Sequence, residues 1–321
     1  MELTKLGSTD LAVSRLSFGG CPMGGHGWGT VSRDDLVQAV DAALDHGINF
    51  FDTADTYGLG EGERTLGKAL GRRRHQVVIA TKFGVRVENG ATFYDNSAKW
   101  VRTALENSLR RLGTDYVDLY QIHYRDGMTP LGEVVSTLNE LRDRGWVRHF
   151  GLSNVGMADE AELKALNGTF VSVQNEYSLA NRSHEDDIRA LTSEFALTPL
   201  TWGSLGQGIL TGKYSCSNAF GPDDRRSRSV YVNFHGDKLA QNLRIVEVLR
   251  DVANEVGKGV PAVAIRWILD NLEGSVAIVG IKNVSQLASN VQALGWHLPD
   301  EALSALNDVS SSRELIYQES M

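Results

Sequence analysis

Short apolar runs alternate with amphipathic stretches along this chain, and the alternation repeats eight times. The runs are Leu16–Gly20, Ile48–Asp52, Val77–Thr81, Val117–His123, Val147–Ser153, Phe170–Gln174, Thr198–Trp202 and Ser275–Gly280. Most are rich in Val, Ile, Phe and Tyr, the composition of strands buried on both faces. Thr198–Trp202 is the weakest, because Pro199 lies within it. The intervening stretches carry helix punctuation. Ser32 caps one, with Asp35 three residues on, a stripe of Leu36, Val40, Ala43 and Leu44, and Gly47 as its stop. Ser97 opens another over Val101, Leu105, Leu109 and Leu112, closed by Gly113. Pro130 starts a third over Val134, Leu138 and Leu141, ended by Gly145.

Each strand-to-strand unit is about 25 to 45 residues, the size of a βαβ crossover. Eight of them without a composition break predict an α/β fold, a single (β/α)8 barrel domain over residues 1–321. Two parts fall outside the repeat. Leu3 to Ser17 holds a Gly7-Ser8-Thr9-Asp10 turn between short alternating pieces, which predicts a hairpin plugging the barrel bottom. Gly206 to Asp237 is a long irregular stretch, a candidate lid, followed by extra C-terminal helices over Leu239–Val256 and Pro261–Leu272.

Composition narrows the class of protein. The formal net charge is −8 and no extended basic block occurs, so nucleic acid is not an expected partner. Two cysteines, Cys21 and Cys216, form no metal-ligand spacing and fit a reducing compartment. No apolar stretch approaches a membrane span, and the first residues do not read as a signal peptide. A cytoplasmic enzyme is expected, with no membrane partner and no obligatory oligomer.

In an α/β barrel the reactive groups sit at the C-terminal ends of strands. Asp52 ends the second run with Tyr57 just beyond it, Lys82 follows the third, and His123 ends the fourth. One such residue is unremarkable; three at successive strand ends point to a site. A free tyrosine has a pKa of about 10. A nearby ammonium is expected to lower it, with Asp52 orienting Lys82, so that Tyr57 serves as general acid or base. His123 would then hydrogen-bond the substrate oxygen. No metal site is expected, since His26 and His123 alone do not make one.

At these residues the chain resembles the aldo-keto reductase superfamily, in particular its bacterial branch of aryl-alcohol-dehydrogenase-like and aldose-dehydrogenase-like members. The resemblance is carried by GINFFDTADTYG (Gly47–Gly58), VVIATKFG (Val77–Gly84), SLRRLGTDYVDLYQIH (Ser108–His123), HFGLSN (His149–Asn154), VSVQNEYS (Val171–Ser178) and LGQGILTGKY (Leu205–Tyr214). It implies an oxidoreductase that interconverts an aldehyde, ketone or sugar and its alcohol, with Asp52, Tyr57, Lys82 and His123 as catalytic tetrad. It implies nicotinamide held by Ser153, Asn154 and Gln174 and stacked on Trp202, with pyrophosphate along Gly203, Ser204, Leu205, Gly206 and Gly208. Gly20 and Gly280, at the ends of the first and eighth strands, Gln286 and Asn290 complete the implied cofactor set. NADPH is favoured on Lys282 alone, which leaves NADH open. His26, Trp28, Phe83 and Tyr124 are expected beside Tyr57 and His123 as substrate walls. Three rivals stay open: a non-catalytic NADP(H)-binding regulatory subunit of the same fold, a metal-dependent barrel hydrolase and a phosphate-ester isomerase.

Overall fold

The computed structural model describes residues 1–25, 27–217 and 220–311. His26, expected as a substrate wall, lies outside the described residues. Eight parallel strands close into a barrel. They are β1 (Leu16–Gly19), β2 (Phe50–Asp52), β3 (Val78–Phe83), β4 (Val117–Ile122), β5 (Val147–Ser153), β6 (Phe170–Glu176), β7 (Thr198–Trp202) and β8 (Val276–Gly280). Each pairs with its neighbour in sequence, and β8 returns to β1 through Ala277↔Leu16 to Gly280↔Gly19. All eight expected strands are present. Pro199 is accommodated because the β7–β8 ladder begins only at Leu200.

The helices lie outside the barrel, and their ends follow the expected chemistry. Helix α1 (Arg33–Asp45) is capped by the Ser32 hydroxyl, which accepts from the Asp35 amide. Helix α2 (Glu61–Leu70) precedes α3 (Ala98–Leu112), whose Ser97 cap accepts from Trp100 N and whose stop, Gly113, is left-handed. Two stripe positions, Leu44 and Leu109, are only half-buried, at the edges of their helix faces. Among the described residues no helix is long and apolar enough to cross a membrane.

Strand alternation splits the apolar side chains into two cores. The larger, between barrel and helices, takes Phe51, Ile79, Phe83, Tyr120 and Ile122. The smaller fills the barrel lumen with Phe50, Val78, Ala80, Leu119, Val171, Leu200, Val276 and Ile278. The N-terminal hairpin (Leu3–Lys5 with Ala12–Ser14) sends Leu6 and Val13 into that lumen, so it does plug the bottom. Thr198 ties it to β7, accepting from Gly7 N at 2.7 Å and donating to Lys5 O at 2.8 Å. A second hairpin, Val85–Glu88 with Ala91–Tyr94, follows β3 at the opposite, C-terminal end and was not anticipated.

The long stretch after β7 is organised rather than featureless, with helical turns at Gly206–Thr211, Arg225–Ser227 and Val232–Phe234. Arg226 packs among Tyr214, Phe220 and Phe234 and pairs with Asp224. Gln207 donates to Glu176 at 3.0 Å and accepts from Asn233, which fastens this stretch to the end of β6.

Candidate active site

Period-two alternation decides which side chains rise at the mouth of the barrel. In β3 the lumen face reads Val78, Ala80, Lys82, so the cation stands directly above apolar side chains. In β2 Phe50 and Asp52 share that face, and in β4 Leu119 and Gln121 do. Strand β6 needs a correction to its phase. Its register with β5 shifts between Phe170 and Ser172, a bulge at Val171 that turns Gln174 toward the lumen.

These four strand ends build one polar floor. Lys82 Nζ donates to Asp52 Oδ1 at 2.7 Å, to Thr53 O at 3.0 Å and to the Tyr57 hydroxyl at 3.3 Å. An ammonium has three N–H groups, and here each has a partner. The other oxygen of Asp52 accepts from Gln174 Nε2 at 2.8 Å and Gln121 Nε2 at 3.4 Å. Lys82 and Asp52 are both buried, so this is an ion pair held away from water with its remaining bonding capacity met.

Tyr57 stands over this pair, its ring 6.3 Å from and near-perpendicular to that of His123. Burial, and next the Asp52 carboxylate, push the Tyr57 hydroxyl well above its ordinary pKa. That corrects the expected direction: the ammonium lies close, but its charge is matched by Asp52 and does not outweigh desolvation. Tyr57 is therefore a phenol with its proton in place. Burial, and next Lys82, push His123 well below its ordinary value, so its imidazole is neutral. Its Nδ1 is buried without a partner.

Asn154, left-handed at φ +54°, knits the neighbouring strand ends together. It donates to His123 O at 3.0 Å and Ser153 Oγ at 3.1 Å, and accepts from Trp202 Nε1 at 3.2 Å. The indole is thereby pinned at the mouth of β7. A cavity of about 590 Å3 runs from this floor across the barrel top, within the range of small-molecule sites. Asp52, Tyr57, His123, Ser153, Asn154, Gln174 and Trp202 line one end. Gly203, Ser204, Leu205 and Gly208 follow, then Gly280, Lys282, Gln286 and Asn290 at the other end. Trp28 and Tyr124 also face the cavity.

Of the residues expected against cofactor or substrate, three do not. Phe83 is buried on the helix side of β3, packed at 4.6 Å on Tyr120, because alternation gives the lumen to Lys82. Gly20 sits behind the wall, donating to Asp52 O at 2.7 Å; a Cβ there would lie 2.8 Å from that oxygen. Gly206 faces Ile209 and Ala180 instead of the cavity.

Several residues of the floor and the cavity wall carry no signal that was read from the sequence. Gln121 is a polar residue inside a buried strand, a signal that alternation would have turned inward. Lys213 and Arg226 line the far end with Lys282, and Arg225 and Tyr231 line the rim. Lys282 donates to Trp28 O, and burial with Arg226 and Lys213 nearby lowers its pKa. The nearest counter-charge, Asp224, is held by Arg226.

The sequence profile of the Aldo/keto reductase family matches residues 15–311. This chain belongs to the aldo/keto reductase family. It is 33% identical to "Aldo-keto reductase YhdN" of Bacillus subtilis (strain 168), over 96% of this chain and 93% of that protein. It is 28% identical to "NADH-specific methylglyoxal reductase" of Escherichia coli (strain K12), over 98% of this chain and all (100%) of that protein. The solved structure of the glycerol dehydrogenase AKR11B4 from Gluconobacter oxydans superposes with a TM-score of 0.86 at 32% identity, covering 96% of this chain and 94% of that one. The barrel fold and the class, a nicotinamide-dependent oxidoreductase acting on small carbonyl or alcohol compounds, agree with the expectation from sequence. The hydrolase and isomerase alternatives fall with that assignment.

Proposed function

We propose that this aldo/keto reductase is an NADPH-dependent carbonyl reductase in which Tyr57 supplies the proton. The observation that carries the reading is the direction of one hydrogen bond. Lys82 donates to the Tyr57 oxygen, so the phenol's own proton points elsewhere, and the cavity is what remains. The raised pKa keeps that proton on Tyr57 until a developing alkoxide draws it away. Neutral His123 has one ring N–H to offer the same oxygen, which fixes the carbonyl over the floor. In the reverse direction Tyr57 takes the alcohol proton back.

The donor set fits a nicotinamide dinucleotide. Trp202, pinned by Asn154, offers a flat indole beside the floor. Both N–H groups of Gln174 are engaged by Asp52 and Gln121, which leaves its Oε1 for a carboxamide. Positive-φ glycines at 203 and 208 let backbone approach phosphate closely, and three cations stand at the far end. Hydride is supplied or accepted by that cofactor when it is bound. Lys213 and Arg226 beside Lys282 favour the phosphorylated dinucleotide, because one cation has become three around a single carboxylate.

The test is oxidation of NADPH, then NADH, against aldehydes, ketones and sugars, with Tyr57→Phe alongside. The variant is expected to bind cofactor and to lose about 10^3-fold in turnover. Normal turnover by Tyr57→Phe would overturn the assignment. Tight NADPH binding with no carbonyl reduced by the wild type would instead make the chain a regulatory nucleotide-binding subunit.

A further inference from the structure

The His123 imidazole lacks the hydrogen bond that usually fixes the tautomer and plane of a working histidine. Its Nδ1 is buried with no partner among the described residues, so no carboxylate or carbonyl holds the ring through that atom. A buried N–H without an acceptor costs more than a bare lone pair, which puts the ring proton on Nε2. Packing is what remains to set the plane of the ring. Tyr57 meets it edge-on, and Tyr124, the next residue, stacks on it with centroids 5.1 Å apart and planes 30° from parallel.

The stack has its own support in the loop after β3. Tyr94, on the hairpin there, packs on Tyr124 with centroids 5.3 Å apart. The two consecutive carbonyls are gripped by two asparagines: Asn154 donates to His123 O at 3.0 Å, and Asn96 Nδ2 donates to Tyr124 O at 3.1 Å. Asn96 is fully buried. Its Oδ1 accepts from the Asp126 amide at 2.9 Å, and its own amide donates to Asp126 Oδ2 at 2.8 Å. Asp126 also accepts from the amides of Met128 and Thr129, at 2.9 and 2.8 Å, which fixes the turn that follows Tyr124. Gly84 makes the space for this joint. It has φ +102°, and a Cβ there would lie 2.6 Å from Asn96 Nδ2 and 2.9 Å from Tyr124 O. A tie between two loops could take hold anywhere along them; this one bonds the carbonyl of the residue whose ring lies on His123.

We propose that Tyr124 is a positioning residue for His123 and that Asn96 seats Tyr124, so that aromatic stacking replaces the hydrogen bond that would otherwise orient the imidazole. The donor that aligns a carbonyl must be placed closely, since a displacement of about 1 Å can cost ~10^2-fold in rate. The proposal rests on the reading above in which His123 hydrogen-bonds the substrate oxygen.

The test is a double-mutant cycle on the reduction of propanal, which brings no ring of its own to stack on Tyr124. Tyr124→Leu is expected to lower kcat about 10-fold with KM for NADPH unchanged, and Tyr124→Phe, which keeps the ring, should retain most of the turnover. In a His123→Ala background Tyr124→Leu should cost less than about twofold, because no imidazole is left to misplace. Equal losses with and without His123 would overturn the proposal and reduce Tyr124 to a wall of the cavity. A second readout needs no turnover: nitrogen-15 NMR of histidine-labelled protein, with His123 assigned by its absence from His123→Ala. The wild type should show one neutral tautomer protonated on Nε2, and both Tyr124→Leu and Asn96→Ala, the second of which removes no ring, should mix the two tautomers. A wild-type proton on Nδ1, or a single unchanged tautomer in Tyr124→Leu, would overturn the proposal. Mixed tautomers in the variants, with no carbonyl reduced by the wild type on either cofactor, would instead sink the reductase reading and leave the positioning standing.

Discussion

The two ends of the main cavity are made in different ways. At the end that holds Tyr57, Asp52, Lys82, Gln121 and Gln174 stand on barrel strands, buried and hydrogen-bonded to one another. At the far end, Lys213 and Arg226 come from the long stretch after β7 and Lys282 from the turn after β8, and Lys213 is exposed. The first arrangement fixes geometry, because each side chain is held by backbone that the whole barrel determines. The second supplies charge, which acts over distance and tolerates a less exact placement. Chemistry that moves a proton needs the former, and recognition of a phosphate can use the latter.

The sharpest way to break this contrast is at its rigid end. Lys82→Met removes one partner of a buried ion pair and leaves the Asp52 carboxylate to two amides. The expected loss is about 3–5 kcal/mol of stability, with turnover close to background. Adding Asp52→Asn should restore most of the stability and none of the turnover, since the uncompensated charge is gone but the donor to Tyr57 is not restored. Thermal unfolding and carbonyl-dependent cofactor oxidation measure both. A Lys82→Met protein that melts like the wild type would mean that Asp52 and Lys82 are not a closed pair.

The same end sets the pH behaviour. Tyr57 is shifted up from 10.0 and His123 down from 6.5, so neither changes protonation between those values. Reduction is expected to show a flat kcat/KM between pH 6.5 and 10. Alcohol oxidation needs the deprotonated phenol and should rise up to about tenfold per pH unit over the alkaline part of the range. A bell centred near neutrality would place a different acid in the site. For His123 the sign on stability is also fixed. Below pH 6.5 the unfolded chain takes up a proton that the native imidazole refuses, so stability is lost as pH falls there, and His123→Gln should flatten that loss.

The loop-borne end should respond more mildly and selectively. Lys282→Ala and Lys213→Ala are each expected to raise KM for NADPH about tenfold, roughly 1.4 kcal/mol, and KM for NADH much less. Equal effects on the two cofactors would remove the case for a 2′-phosphate at this end. Because Lys213 lies close enough to Lys282 to lower its pKa, the two substitutions are coupled and the double variant should depart from the product of the singles.

This division also explains what could be read from sequence. Asp52, Lys82 and His123 were legible because each ends an apolar strand, and strand periodicity says where strand ends point. Tyr57 followed from its nearness to one of them. Gln174 was expected at the cavity only through resemblance, since plain alternation from Val171 would have turned it outward but for the bulge. Phe83 failed for the reverse reason: it adjoins Lys82 in sequence and therefore faces the opposite side of the sheet. Lys213, Arg225, Arg226 and the 85–94 hairpin were illegible because no period governs a loop. Their positions depend on contacts such as Gly27 O with Arg225 N that no local pattern announces.

A last, smaller prediction concerns the support behind the rigid end. Glu63 is fully buried, accepting from Thr81 Oγ1 at 2.7 Å and Arg111 at 3.1 Å, while Asp55 Oδ1 nearby has no partner. Burial, and next the Glu63 carboxylate, push Asp55 well above its ordinary pKa of 3.8. A carboxyl whose native pKa is raised costs stability as pH climbs from 3.8, because the unfolded chain releases the proton and the native one keeps it. Asp55→Asn should therefore raise stability at pH 7 by about 1 kcal/mol, a few degrees in Tm, with the gain shrinking toward pH 4. Measured at both pH values by thermal unfolding, a gain independent of pH would show that the substitution acts through packing. A loss at pH 7 would show that an ionised Asp55 helps to hold the loop that carries Tyr57.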